Sequence, residues 1–272
     1  MTKVVEQFLK LPASLQKHME FKISFHYNEL KRLHLLDNFF ENVDKIQKSD
    51  FSFALELMPY DALNKEIDQI YDLCMEKVGA PCQVTVGRRQ ENKDEVGLLT
   101  DSSENEFKKR WLKFDSKMFD FKMGLFDVKR KEFCYAGAWT LRVNLYSGEA
   151  SPCYAQPYKE NIFDDPSKPI KFIPVGCHCA MPFCINGHAH MSLGVIPEYE
   201  APTFEQIRNR TREDGSEWFS ADCKEFFSGK LYDTNEQFSA GKKLYYNLTW
   251  YLRAAGFALK YPNKIVRRIK LH

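Results

Sequence analysis

Residues 21–87 alternate between short β-forming runs and helix-period stretches, and this alternation limits the fold more than any other feature of the chain. Phe21-Lys-Ile-Ser-Phe-His-Tyr27 alternates and is rich in β-formers, which predicts a strand. Leu36, Phe39, Phe40, Val43 and Ile46 follow at three- and four-residue steps, which predicts a helix. Phe51-Ser-Phe-Ala-Leu-Glu-Leu57 is a second strand. Pro59 and Asp61 end it and open another helix, in which Leu63, Ile67, Ile70, Tyr71, Cys74 and Val78 form one apolar stripe. Gly79 is placed to stop that helix, and Cys82–Gly87 reads as a third strand. Such spacing makes parallel βα units. Three parallel strands alone leave long edges open to association, and parallel sheets are normally covered on both faces. Residues 20–126 therefore read as part of a larger βα assembly. Val96 to Phe126 reads as loop plus one helix bearing Phe107, Trp111 and Phe114.

Charge selects no class of partner, because the 272 residues carry a formal net charge of only +2. That balance argues against nucleic-acid binding. A basic run, Lys264 to Lys270, reads as a solvated or frayed end, with contact to an anionic partner as the minor reading. No apolar run reaches the ~18–20 residues that span a bilayer. Met1 to Leu11 has no signal-peptide core, so the expected compartment is the cytoplasm. Disulfides are rare there, and the eight cysteines need another explanation.

Five of those eight lie between Cys134 and Cys184, where Gly and Pro also become frequent. Thirteen residues separate Cys134 from Gly148, and four separate Gly148 from Cys153. Trp139–Leu145 reads as a strand, Ser147-Gly148 as a turn, and Glu149–Tyr154 as the returning strand. Such a hairpin carries Cys134 and Cys153 to one end of its ladder, and the glycine supplies the positive φ of the turn. A second cassette follows, Gly176-Cys177-His178-Cys179-Ala-Met-Pro-Phe-Cys184. Close thiols on an irregular loop suit a metal, because loop backbone can wrap a cluster and donate to its sulfurs.

Four thiolates can hold zinc or a [4Fe–4S] cluster. Neither half shows the short Cys-x-x-Cys knuckle of common zinc sites, which weakens zinc without removing it. The predicted ligands are Cys134, Cys153, Cys179 and Cys184, with Cys177 able to replace Cys179 or to stand by. His188 and His190 could add nitrogen ligands, and read first as structural or supporting residues. Cys74, Cys82 and Cys223 read as small buried hydrophobes. From Pro202 on, helices are expected over Thr203–Arg212, Ala221–Leu231 and Ala240–Leu259.

The pattern Cys134, thirteen residues, Gly148, four residues, Cys153, followed by Cys179 and Cys184, resembles the opening of the SPASM or "twitch" extension of radical SAM proteins. The second cassette has fewer cysteines than a full SPASM domain, so the resemblance implies one auxiliary [4Fe–4S] cluster. The radical SAM core is a partial (β/α)6 barrel, and the three βα units here resemble its last three. The implied fold is α/β: an incomplete parallel βα barrel over 1–128, a small α+β cysteine-rich cluster domain over 129–200, and C-terminal helices over 201–272. The resemblance implies a ligand role toward S-adenosylmethionine for Ser24 and His26 on the first strand. Glu56 and Arg88 sit near strand C-termini, where such barrels bind ligands. The Cys-x3-Cys-x2-Cys run that generates the radical is absent from the sequence. The chain alone is thus not expected to cleave S-adenosylmethionine. Three explanations compete: a gene broken upstream, a separate polypeptide supplying the N-terminal half-barrel, or a cluster protein without catalysis. Expected partners are that half-barrel or a second copy, with a peptide as one substrate class. The reading from another class is a zinc-stabilised, non-catalytic binding or scaffold protein.

Overall fold

The computed structural model describes residues 2–89, 96–154 and 160–260, without the side chains of 254 and 256–260. The basic run Lys264–Lys270 lies outside the described residues. The chain is mixed α/β and divides into two units, neither continuous in sequence. One gathers the residues up to Phe126 with Asn186–Leu193 and Ala201–Lys230. The other gathers Asp127–Ile185, Gly194–Glu200 and the residues from Leu231 on.

The first unit is built on a parallel sheet in the order β1 (Glu20–Ser24), β2 (Ser52–Leu57), β3 (Gln83–Val84). Glu20 pairs with Ser52, Ser24 with Glu56, and Leu57 with Val84. The strand–helix alternation thus folds as the sequence predicts, with shorter strands. The predicted first strand ends at Ser24, and Tyr27 opens a short helix, Tyr27–Arg32. The Tyr27 hydroxyl is drawn inward by a 2.7 Å hydrogen bond to Gln69.

Alternation along the strands gives the sheet two unlike faces. Ile23, Phe53, Leu55, Leu57 and Val84 belong to the buried apolar core. The helices Leu36–Gln47 and Ile67–Val78 complete it with Phe39, Phe40, Val43, Ile46, Ile70, Cys74 and Val78. Phe25 stacks on Phe39 at 5.3 Å and meets Phe40 edge-on. Gly79 ends the second helix at φ 69, as its position predicts. The other face carries Glu20, Lys22 and Ser24 beside Ser52, Ala54 and Glu56. It is closed by residues from far downstream, through a buried Arg208 on Glu56.

The stretch Val96–Phe126 holds two helices, Glu104–Trp111 and Lys117–Leu125, where the sequence reading expected one. Ser103 and Glu106 form a reciprocal capping box on the first. Asp115 reverses the chain at φ 42, and Ser116 caps the second helix by accepting from the Phe119 N–H. Ser116 also closes the edge of β3. Its Oγ accepts from the Val84 N–H at 2.9 Å and donates to Gln83 at 2.8 Å. Arg210 adds a second closure, donating to the Cys82, Phe114 and Asp115 carbonyls. Lower on the sheet, Phe53 N–H donates to the Trp218 carbonyl, and Trp218 stacks on Phe53 at 4.9 Å. The predicted helix Thr203–Arg212 stops at Arg208, because Thr211 pairs with Glu217 in a bridge instead.

The second unit carries an antiparallel sheet, β6 (Arg142–Val143), β7 (Glu149–Ser151) and β8 (Glu160–Asn161), the pair β4 (Arg88–Arg89) and β5 (Gly97–Leu98) belonging to the first. The predicted hairpin is present, with Arg142 opposite Ser151 and Val143 opposite Ala150. Its first strand is shorter than expected. Residues 135–140 turn instead, with Trp139 stacked on Tyr135 at 3.8 Å and Gly137 at φ 94. The helix Ala240–Lys260 completes the unit.

Ser116→Ala should cost about 1–3 kcal/mol, because it strands the buried Val84 N–H as well as removing a cap. Ser103→Ala, at an exposed capping box, should cost about 1 kcal/mol or less. Urea denaturation of both variants measures the difference; equal losses would mean that the edge of β3 gains nothing from Ser116.

Candidate metal centre

The cysteines separate by environment. Cys74, Cys82 and Cys223 are buried in the core of the first unit, in keeping with their reading as small hydrophobes. Cys134, Cys153, Cys177, Cys179 and Cys184 all lie in the second unit and are half-buried.

Cys134 is placed by backbone pairing. Its N–H donates to the Gly176 carbonyl at 3.1 Å, and the Gly176 N–H returns to Cys134 at 3.0 Å. The Val175 N–H donates to Ala136 at 2.9 Å. A two-stranded bridge therefore lays the start of the second cassette beside the first cysteine, a link that spacing alone did not reveal. Gly176 sits at φ 67, a conformation that favours glycine. On the other side, the β6–β7 turn is fixed by Asn144, whose side-chain oxygen accepts from the N–H groups of Tyr146 and Ser147. Gly148 closes it at φ 75, and a Cβ there would run into Asn161 and Phe163.

The cassette loop is pinned at several points. Lys129 donates to the carbonyls of Cys179 and Met181. His178 stacks on Trp250 at 4.6 Å and meets Tyr251 edge-on. Asn247 holds Cys177 from both sides, accepting from its N–H at 3.2 Å and donating to its sulfur at 3.4 Å. Burial pushes the Cys134 thiol well above the ordinary cysteine range. An N–H from Ala136 opposes this, and Cys184, Cys153 and Cys179 lie close enough for their charges to push it further. Those three are the thiols predicted to share a centre with Cys134. Among the described residues, no three His, Cys, Asp or Glu side chains are already grouped to hold a metal ion.

The remaining candidates lie in the first unit. Ser24 is exposed at the end of β1, and His26 is exposed beyond it, in the loop before Tyr27. His26 is therefore not on the strand, as the sequence reading had it. Glu56 is buried between two cations, Lys22 and Arg208, each at 3.2 Å. Arg88 is half-buried in β4. His188 and His190 also belong to the first unit, on the short helix Gly187–His190. The His188 carbonyl accepts from Arg208 at 2.9 Å, and its buried Nδ1 has no hydrogen-bond partner. Burial, with nearby Lys122, Arg208, Lys22 and Arg88, lowers the His188 imidazole to about 2, so it is neutral.

Glu56 and Arg88 are thus brought to one charged cluster whose other members went unrecognised: Glu20, Lys22, Lys122, Arg208 and His188. Burial raises the Glu20 carboxyl to about 7, against the pull of Arg208. Burial lowers Lys122 to about 7, and Arg88 pushes the same way while Glu56 opposes. The Lys122 ammonium donates to the Thr85 hydroxyl. The available signal was Lys22 and Ser24 alternating along the predicted strand Phe21–Tyr27, with Glu20 just before it, since a purely structural inner face would have been apolar. Comparison with protein families, with curated proteins and with solved structures finds no match for this chain.

The cluster sets a pH dependence. Glu20 holds its proton more tightly when folded, so its contribution to stability falls as pH rises from 4.5 to about 7. Lys122 loses its proton more readily when folded, so its contribution rises from about pH 7 to 10.5. Glu20→Gln should flatten the first slope and Lys122→Met the second, in urea titrations across that range. A Lys122→Met protein with the wild-type slope above pH 7 would contradict the assignment.

Proposed function

We propose that this chain binds one [4Fe–4S] cluster through Cys134, Cys153, Cys179 and Cys184. The observation that carries the reading is the backbone pairing of Cys134 with Gly176, which lays the second cassette beside the first cysteine, and the influence of Cys184, Cys153 and Cys179 on the Cys134 thiol agrees with it. The donor set suits the group: four thiolates are the ordinary ligands of such a cluster. The surrounding loop is held by Lys129, His178 and Asn247, so that ligands from the hairpin and from the cassette stay near one another. Cys177 serves as a structural residue on the helix Ala240–Lys260, through Asn247. A bound cluster supplies one-electron transfer or a Lewis-acidic iron. The chain's own residues position it and control its access to water. Residence in the cytoplasm belongs to the same reading, because thiolates of this kind persist in a reducing compartment.

The kinship proposed is to the C-terminal part of radical SAM proteins. Its supports are the parallel βα units of the first unit and the cysteine–glycine spacing of the second. In that reading, S-adenosylmethionine cleavage requires a second polypeptide carrying Cys-x3-Cys-x2-Cys, and Ser24 and His26, exposed at the end of β1 and just beyond it, are the residues left to meet S-adenosylmethionine.

Anaerobic reconstitution with iron and sulfide should yield a brown protein with iron and sulfide in equal amounts. Cys134→Ser and Cys153→Ser should each lose most of the metal, whereas Cys177→Ser should retain it. A colourless protein holding one zinc would replace this reading with a zinc-stabilised scaffold. Metal content unchanged in Cys134→Ser would remove the four-sulfur site altogether.

A further inference from the structure

The helix Ala240–Lys260 has two apolar sides, and only one of them is used. Lys243, Tyr246, Asn247 and Trp250 face the second unit: Lys243 pairs with Glu198 at 2.6 Å, Tyr246 stacks on Phe238, Asn247 holds Cys177, and Trp250 stacks on His178. Leu244, Tyr245, Leu248, Tyr251 and Leu252 recur at three- and four-residue steps on the opposite side. They are 58%, 61%, 56%, 57% and 72% exposed. An apolar stripe this regular, left in water, is a contact surface.

Charge identifies what it contacts. Residues 237–272 hold eight Lys or Arg and no Asp or Glu. The whole chain nets +2, so residues 1–236 net −6 and the positive charge is concentrated in the sequence from residue 237 on. On the helix itself, Lys242 and Arg253 flank the stripe, with Lys242 over the Phe238 ring and Arg253 bonded to Thr249. A protein partner for such a surface would have to be acidic and apolar at once. An anionic lipid surface offers both: an apolar interior to receive leucine and tyrosine, and headgroups to meet the cations. Tyrosine suits the boundary, with its ring in the apolar layer and its hydroxyl in the wet one. No helix among the described residues is long and apolar enough to cross a membrane, so the contact is along the surface.

We infer that the exposed stripe of this helix docks the protein onto anionic membrane surfaces. The inference does not depend on a bound cluster: Tyr251 of the stripe meets His178 of the cassette edge-on, and Leu244, Leu248 and Leu252 carry the docking. The test is co-sedimentation of the full chain with vesicles of phosphatidylcholine and phosphatidylserine, and with vesicles of phosphatidylcholine alone. Binding is expected only to the first, and it should weaken as salt is raised. Leu248→Glu and Leu252→Glu should abolish binding while circular dichroism stays that of the wild type. Arg267→Gln with Arg268→Gln, which leaves the stripe intact, should weaken binding about fivefold per charge. Equal binding to both vesicle types would overturn the inference. So would absence of binding, including the case in which light scattering shows a dimer that Leu248→Glu dissociates, which would assign the stripe to a second copy.

Discussion

Burying Glu56 on the inner face of the sheet decides how the first unit can be closed. A buried carboxylate has to meet a cation, since an uncompensated charge in a poorly solvated place costs several kcal/mol. Lys22 reaches it from the neighbouring strand, but Lys22 is itself half in water. The closing partner is Arg208, whose guanidinium is buried, lies 3.8 Å from the Phe204 ring and also donates to the His188 carbonyl. Through that one side chain the helix Phe204–Arg208 and the helix Gly187–His190 are both fastened over the sheet. The same constraint explains why the cluster is polar yet dry, and why Glu20, Lys122 and His188 are moved so far from their ordinary titration ranges.

The parts of the fold that could be read from sequence are those in which one local pattern suffices. The stripe from Ile67 to Val78 and the αL glycine after it are such a case, because helix period and C-cap act within a dozen residues. The hairpin around Gly148 is another. The two helices of residues 96–126 each carry an ordinary capping signal, Ser103…Glu106 and Ser116, whereas Phe107, Trp111 and Phe114 recur at the spacing of a single helix. The return of residues 186–193 and 201–230 to the sheet was not legible. It depends on Arg208 meeting Glu56 and on Ser220 meeting Ser52, pairings without a periodic trace in the sequence.

The candidate centre divides in the same way. That five thiols would fall in one unit could be read from the clustering of cysteines alone. What lies beside Cys134 and what holds Cys177 depend on contacts of the opposite kind: the Cys134–Gly176 pairing, and the amide of Asn247, seventy residues from Cys177. Without that amide Cys177 and Cys179 are equivalent in any count of spacings. His188 and His190 follow the cysteines closely in sequence and yet belong to the other unit, where the buried imidazole of His188 stays neutral.

The sequence separation of these contacts has a kinetic meaning. Ser52 and Ser220 are 168 residues apart, and the chain between them includes most of the cysteine-rich unit. On the ribosome, the charged side of the three-stranded sheet must therefore wait, uncovered, while the segment that will hold the thiols is synthesised and begins to fold. Loop closure over such a distance is entropically costly and slow, and contacts of this kind are made late. The nascent chain thus passes through a stage with one finished apolar layer and one wet, unsheltered layer, and chaperones or early-arriving ligands would act on that intermediate.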